Sequence, residues 1–441
     1  MDDARTVRAV ERRIVLSASM AHGMTHALEL TFAALLVRIG MEFDASVALL
    51  GIVANAGTVT FGTTALPAGF LTDRFGPRTI IAGCMAASAG FALAVAVAPT
   101  LWVLAIALSL LGAALGLYHP AGTAMVSTVA TRRGMAFATH GIAGNVGVGA
   151  IPAVAVGISI ASDWRMAYVA LALLAAVVAL AVWRLAPSQE EAVAAGRRAE
   201  RAMVEEARPQ GRARTQPPRQ RGWFAGPLVL IYICSIGTGF IYRGSLTFLE
   251  LHLEEHLGIE LFGWSPEAIA GAMASVVLLT AIAGQAGGGW ISDRVPLEWA
   301  IVPVIALTAP MLMLTAAGGG VWLLVFAIGF VIANFGQQPI INGLIADYAP
   351  AGGAGRAFGI SFFLVFGLGS IAGTVCGVVA DASGTRAAFA LLAGVAVAIT
   401  LVSLALSLGA ERRRRGEAHP GLRALPGVRA DEAVARGGDG A

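Results

Sequence analysis

A helix needs about 20 consecutive apolar residues to cross the hydrocarbon layer of a bilayer, and this chain repeatedly supplies runs of that length. Twelve of them lie near residues 14–40, 46–70, 78–98, 101–129, 136–160, 165–185, 225–252, 265–291, 298–317, 320–347, 355–381 and 386–410, with polar residues between. A water-soluble core has no use for so much uninterrupted apolar helix, so the chain is expected to be an all-α membrane protein of twelve transmembrane helices. The charges agree. Asp, Glu, Lys and Arg make up 13% of the sequence, against about 25% in soluble proteins. Of these 57 residues, 33 fall within 1–13, 184–221 and 411–441. The three cysteines, Cys84, Cys234 and Cys376, sit inside apolar runs, which argues against a disulfide framework or a cysteine metal site. All 30 basic residues are Arg, most of them in the hydrophilic segments, and a net charge of +3 implies no nucleic-acid partner.

Basic residues beside short loops stay on the cytoplasmic side, and the arginines alternate accordingly. Arg5, Arg8, Arg12 and Arg13 precede the first run, Arg74 and Arg78 separate the second and third, Arg132 and Arg133 the fourth and fifth, and Arg412 to Arg415 follow the last. The opposite loops hold mainly Glu42, Asp44, Asp163, Glu254, Glu255 and Glu260. Both termini are therefore expected in the cytoplasm, with the protein in the inner or plasma membrane. The first run is too long for a signal peptide and is interrupted by His22, His26 and Glu29. Helix starts are expected at Asp44, at Thr100 and at Ser265-Pro266-Glu267.

The halves repeat. Gly69-Phe70-Leu71-Thr72-Asp73-Arg74 returns as Gly289-Trp290-Ile291-Ser292-Asp293-Arg294 after 220 residues, His119-Pro120 as Gln338-Pro339 after 219, and Arg165 with Tyr168 as Arg386 with Phe389 after 221. Such duplication marks a transporter-type fold of two homologous bundles. The expected division is a first bundle over 1–185, a hydrophilic cytoplasmic linker over 186–224 with a surface helix near 189–206, a second bundle over 225–410 and a disordered tail over 411–441.

Ionisable residues inside a membrane are costly and so are the first candidates for function. On the first helix Ser19, His22, His26, Glu29 and Ala33 fall within about 80° of arc at 100° per residue, a polar stripe suited to a central aqueous cavity. Glu29, near mid-depth, is the candidate proton-exchanging group; His22 and His26 either line that cavity or simply bond neighbouring helices. In the matching helix of the second half, Tyr242 and Arg243 occupy a similar place, and a Glu29–Arg243 ion pair that opens on binding would couple the two halves. Arg243 alternatively snorkels to the outer surface. Pro120 is expected to bend its helix. His119 beside it then contacts substrate or proton, or bonds the backbone group that the bend frees. Asn334, Gln337, Gln338 and Asn342 form either a neutral polar wall for a ligand or interhelical glue. Tyr118, Asn145, His140 and Gln285 are further lining candidates, and no set has metal-ligand spacing.

Twelve spans, a long central loop after the sixth, and Gly69, Leu71, Asp73, Arg74, Gly76 and Arg78 between the second and third together resemble the major facilitator superfamily of secondary transporters. Gly289, Asp293 and Arg294 form a degenerate second copy of that loop signature. Tyr118-His119-Pro120-Ala121-Gly122, Arg133-Gly134 and Gly144-Asn145 with Gly147 look like the branch containing fosmidomycin-resistance-type exporters. Gly141, Gly144, Gly147 and Gly149 match part of the family's antiporter signature, which the chain leaves at Ile151-Pro152. A carboxylate at the inner end of the second helix can accept hydrogen bonds from a neighbouring helix N-terminus, which makes Gly69, Asp73, Arg74, Gly76, Arg78, Asp293 and Arg294 a conformational latch. The resemblance implies that Asp73 meets the start of the eleventh helix near Gly355 to Phe358, and that Asp293 meets the start of the fifth near Gly134 to Phe137.

The expected activity is proton-coupled export of a small organic or amphipathic compound by alternating access. Uptake of an organic acid held by Arg243 is the alternative, and a non-transporting receptor or scaffold is the rival from another class. No Lys is present, so a Walker lysine is excluded, and no nucleophile, base and orienter set suggests an enzyme. The expected partners are a small-molecule substrate, protons and the lipid bilayer, with the proton gradient as energy source, no cofactor or metal, and a monomeric state.

Overall fold

The computed structural model describes residues 2–207, 226–261, 263–369 and 371–418. Among the described residues the first half contains α1 (Asp2–Phe43), α2 (Val47–Phe75), α3 (Pro77–Ala96), α4 (Leu101–Gly116), α5 (Tyr118–Val126), α6 (Arg133–Ala161) and α7 (Trp164–Leu185). A connecting helix α8 (Gln189–Ala207) follows. The second half contains α9 (Gly226–His256), α10 (Pro266–Leu279), α11 (Ala281–Ser292), α12 (Leu297–Ala317), α13 (Gly320–Tyr348), α14 (Ala354–Phe362), a π-helical turn (Phe363–Leu368) and α15 (Ile371–Ala418). No strand occurs among the described residues.

Eleven continuous segments are long and apolar enough to span a membrane, and the last, Ala354–Arg414, is 61 residues long. At about 1.5 Å per residue that is roughly three times the thickness of the hydrocarbon layer. Gly384 divides it: its φ of 82° and ψ of 165° interrupt the helix and turn the chain back, a conformation open to glycine because it has no Cβ. Among the described residues the crossings therefore number twelve, of which α4 with α5, α10 with α11, and α14 with the start of α15 are each interrupted. At Pro120 the missing N–H cannot reach the Gly116 carbonyl, and the chain breaks at Leu117.

Helix starts follow local chemistry. Thr100 and Ser265 accept from Val103 N and Ala268 N at 3.4 Å each. Before α2 the cap is Ser46, which accepts from Leu49 N at 3.3 Å, while Asp44, the expected cap, lies in the turn at φ 49°. Asp163 caps α7 through Arg165 N at 3.0 Å. On α7, Leu173, Val177 and Leu180 are exposed one turn apart. Such an apolar stripe suits contact with lipid chains.

In the first half α1 packs on α6, α2 on α4 and α3 on α7; in the second α9 and α12 pack on α15, and α11 and α12 on α13. The halves meet where α2 lies along α14 and α6 along α11 and α13. The expected surface helix is more than a spacer. Helix α8 docks on α1, buries Ala192 and Ala195, and is tied by Glu191 to Arg13 at 2.6 Å. Residues 208–224 of the expected linker and 419–441 of the expected tail lie outside the described residues, but 411–418 continue α15 as helix. There Arg414 reaches Glu298 at 3.2 Å, beside the Glu298–Tyr348 hydrogen bond of 2.8 Å.

Candidate transport site and interbundle latch

The polar face of α1 meets α5 and α6 in a cluster of imidazoles. His22 Nδ1 donates to the His140 carbonyl at 2.6 Å, and the His22 and His140 rings stack with centroids 4.1 Å apart. A Cβ at Gly144 would stand 2.4 Å from the His22 ring, so the bare backbone of α6 makes the notch in which that ring lies. The Tyr118 hydroxyl donates to the Ala18 carbonyl, and its oxygen accepts from His140 Nε2 at 2.9 Å. His26 Nε2 faces His22 Nε2 at 3.2 Å, and His26 Nδ1 meets the Glu29 carboxylate at 2.8 Å. His119 closes the cluster from α5, packed against His22, His26, Phe61, Phe362 and Phe366 at centroid distances of 4.9–5.6 Å. Both its ring nitrogens are buried without a partner. The backbone bond foreseen for it at the helix break is not made.

Exposure rises along this face of α1. His22 is 8% exposed, the His26 and Glu29 side chains are 13% and 26% exposed, and Ala33, one turn further, is fully in the exposed class.

The second half faces it with uncharged groups and one cation. Tyr242 packs on Phe335 at 5.8 Å and lies within electrostatic reach of both Glu29 and Arg243. The Glu29–Arg243 ion pair is not formed in this conformation: Glu29 pairs with His26, and half-buried Arg243 has no acidic partner among the described residues. On α13, Gln337 donates to Asn334 Oδ1 at 2.8 Å while its own Oε1 is buried and unpartnered. Gln338 accepts from Gln285 of α11 at 2.7 Å, an interhelical tie. Half-buried Asn342 makes no side-chain hydrogen bond among the described residues. Asn145 on α6 likewise leaves its Nδ2 buried and unpartnered.

At the closed end the halves are joined twice, in mirrored fashion. Asp73 Oδ1 accepts from Gly355 N at 2.8 Å, and Oδ2 accepts from Arg356 N at 3.2 Å and Arg356 Nε at 2.7 Å. Asp293 Oδ1 accepts from Gly134 N at 2.7 Å and Oδ2 from Met135 N at 3.1 Å. The first turns of α14 and α6 thus give their unsatisfied N–H groups to a carboxylate of the other half. A Cβ at Gly69 would lie 2.5 Å from the Gly355 carbonyl oxygen, and one at Gly289 2.7 Å from that of Gly134. Only glycine permits these approaches. Arg133 adds an ion pair to Asp347 across the halves.

The other members of the expected latch do not cross. Arg74 and Arg294 are exposed and lie over their own helices' Phe75 and Trp290 rings at 5.2 and 4.2 Å. Arg78 bonds the Trp183 carbonyl and stacks on that ring, within the first half. Gly76, at φ 79°, makes the sharp turn from α2 into α3. Arg356 and the Arg133–Asp347 pair were missed because each gains its meaning from a residue more than 200 positions away. A cation next to a helix N-terminus that receives a carboxylate was the available signal for Arg356.

Two bundles tied together at one end, with a polar, partly charged cluster between their helices, are the architecture of the secondary-transporter class of membrane protein. The Major Facilitator Superfamily model matches residues 15–374 and 260–429, and the chain belongs to that family. No curated protein matches the sequence. Among solved structures, it is similar to the human organic anion transporter MFSD10 (TETRAN), at 17% identity and TM-score 0.70 over 90% of this chain and 99% of that one. It is also similar to the proton:xylose symporter XylE, at 15% and 0.70 over 89% and 95%, and to FucP in its outward conformation, at 13% and 0.67 over 89% and 98%. At these identities the likeness is one of fold. The chain is a transporter and not an enzyme.

Proposed function

We propose that the protein is a proton-coupled secondary transporter that exports a small organic compound, with Glu29 as the group that takes up and releases the proton. The observation that carries this reading is the Glu29–His26 contact of 2.8 Å on the polar face of α1, where both side chains are partly exposed. A carboxylate and an imidazole at that distance share a proton readily, and losing it leaves a charge that solvent or solute in the cavity must compensate. A solute bound beside Glu29 would compete with the proton for one site. Such competition is what antiport requires. The Arg-rich end, where Asp73 and Asp293 join the halves, is assigned to the cytoplasm.

The lone position of Arg243 favours a second reading in which the solute carries a carboxylate or similar anion. A half-buried guanidinium without an acidic partner is a ready bidentate site for one. The same reconstituted assay tests both. In liposomes with a trapped pH dye and 1 mM EDTA, Glu29→Gln is expected to abolish solute-driven proton movement, a fall of about 100-fold or more, while proton-independent exchange of solute persists. Arg243→Ala is expected to spare neutral and cationic solutes; loss of anion transport alone would favour the second reading. Unchanged proton movement in Glu29→Gln would overturn the assignment of Glu29.

A further inference from the structure

We propose that His22, His26 and His119 form a binding site for a divalent transition metal of the zinc class. Sequence spacing offers only His22 and His26, one turn apart on α1. His119 joins them because the chain restarts as α5 just after Leu117, aiming the ring at α1. Each residue offers one imidazole nitrogen, and the three atoms all lie within 4.8 Å of one another. Two nitrogens on one tetrahedral zinc at about 2.0–2.1 Å stand about 3.3 Å apart, and His22 Nε2 and His26 Nε2 are 3.2 Å apart.

The hydrogen bonds orient these rings for the task. His22 Nδ1 must donate, since its partner is the His140 carbonyl, and this leaves Nε2 a bare lone pair. When Glu29 is ionised, His26 Nδ1 donates to its carboxylate and leaves Nε2 bare as well. In that tautomer two lone pairs face each other at 3.2 Å, an arrangement that a bound cation relieves; with a proton on His26 Nε2 the same two atoms form a hydrogen bond instead. Backbone carbonyl and carboxylate acceptors on the far ring nitrogen are the usual outer shell of metal-binding histidines. His119 is the independent sign. It is 3% exposed, with neither nitrogen satisfied, and burying an unpaired polar group costs about 1–3 kcal/mol. A short swing of this ring brings a third nitrogen to the metal. Phe61, Phe362 and Phe366 wall the site from one side, and the partly exposed flank at Glu29 gives an entry path, leaving the fourth position to water. Three neutral imidazoles suit zinc, cobalt or nickel and not magnesium or calcium, which take oxygen ligands.

This inference goes beyond the transport reading and does not rest on it. The test uses full-length protein purified in detergent on a tag without histidines and stripped with EDTA. Zn²⁺ is titrated by calorimetry and Co²⁺ by visible absorption. The expected result is one equivalent bound, a tetrahedral Co²⁺ band, and affinity weakened by about 10-fold or more in His22→Gln and in His119→Gln. His256→Gln, in the second half, should bind as wild type. His119→Gln breaks no hydrogen bond, so it carries the test should His22→Gln melt early for want of the ring that fills the Gly144 notch. Substoichiometric binding, or the same affinity in His119→Gln as in wild type, would overturn the site. Proton movement is assayed in EDTA, so failure here leaves the role of Glu29 standing, and failure there leaves the metal titration unaffected.

Discussion

Where the first half carries His119-Pro120, the second carries Gln338-Pro339, and the two copies have been put to different uses. Pro120 accompanies a broken helix and a histidine without partners. Pro339 lies inside the continuous α13, and Gln338 is tied to Gln285. The second half breaks instead at Thr280, between α10 and α11. The first half gathers four histidines and a carboxylate; the second answers with amides, a phenol and a single guanidinium. A duplicated scaffold thus fixes where a residue stands and leaves its chemistry free. Titratable groups are concentrated in one half and neutral amides in the other, while the contacts that join the halves stay nearly symmetric.

The latch is where the comparison is most easily broken. Gly69→Ala is expected to have the largest effect, since its new Cβ meets backbone at 2.5 Å and overpacking of this kind costs about 1–3 kcal/mol. The latched population should fall about 5–150-fold relative to the open one, read as increased distance between spin labels placed at the ends of α2 and α14. Labels go on introduced cysteines because Cys84, Cys234 and Cys376 are all buried. Asp73→Asn should follow, and it should exceed Asp293→Asn in the same measurement, because Asp73 also holds the Arg356 guanidinium. Asn keeps an acceptor oxygen and loses the charge, which lowers such a hydrogen bond from about 1.5–3 kcal/mol to about 0.5–1.5 kcal/mol. Equal effects of the two aspartates would show that Arg356 adds nothing to closure. The smallest effect is expected at the centre of the second half. Gln338→Ala leaves the Gln285 amide without its partner, at a cost of about 1 kcal/mol, and should lower the melting temperature by a few degrees while transport stays within a few-fold of wild type. A collapse of proton coupling in Gln338→Ala would erase the distinction drawn between the halves.

Much of the architecture was legible before any coordinates. Twelve apolar runs, the repeat near 220 residues and the glycine-aspartate loop motif follow from span length and duplication, and the family match and the helices agree with them. Glu29, His22 and His26 were found because a charge in an apolar run is conspicuous and helical periodicity gives its face. Other features were not legible, for identifiable reasons. Asp44 and Ser46 both suit a cap, and only the turn geometry selects Ser46. Arg74, Arg78 and Arg294 belong to the same motif as the aspartates, yet their long side chains lie back on aromatic rings of their own half.

The sequence by itself determined the elements: how many times the chain crosses, which helix faces are polar, and that one half echoes the other. These are local or periodic properties, set by the length of a helix and the angle between successive side chains. The tertiary structure alone decided which distant groups meet. It brought His119 to His22, Gln285 to Gln338 and Arg356 to Asp73, and it left Arg243 without an acid. Those pairings join positions 53 to 283 residues apart and depend on how the helices that carry them are rotated and docked. Packing against glycine notches such as Gly144 and Gly69 fixes that rotation, and no spacing along the chain encodes it.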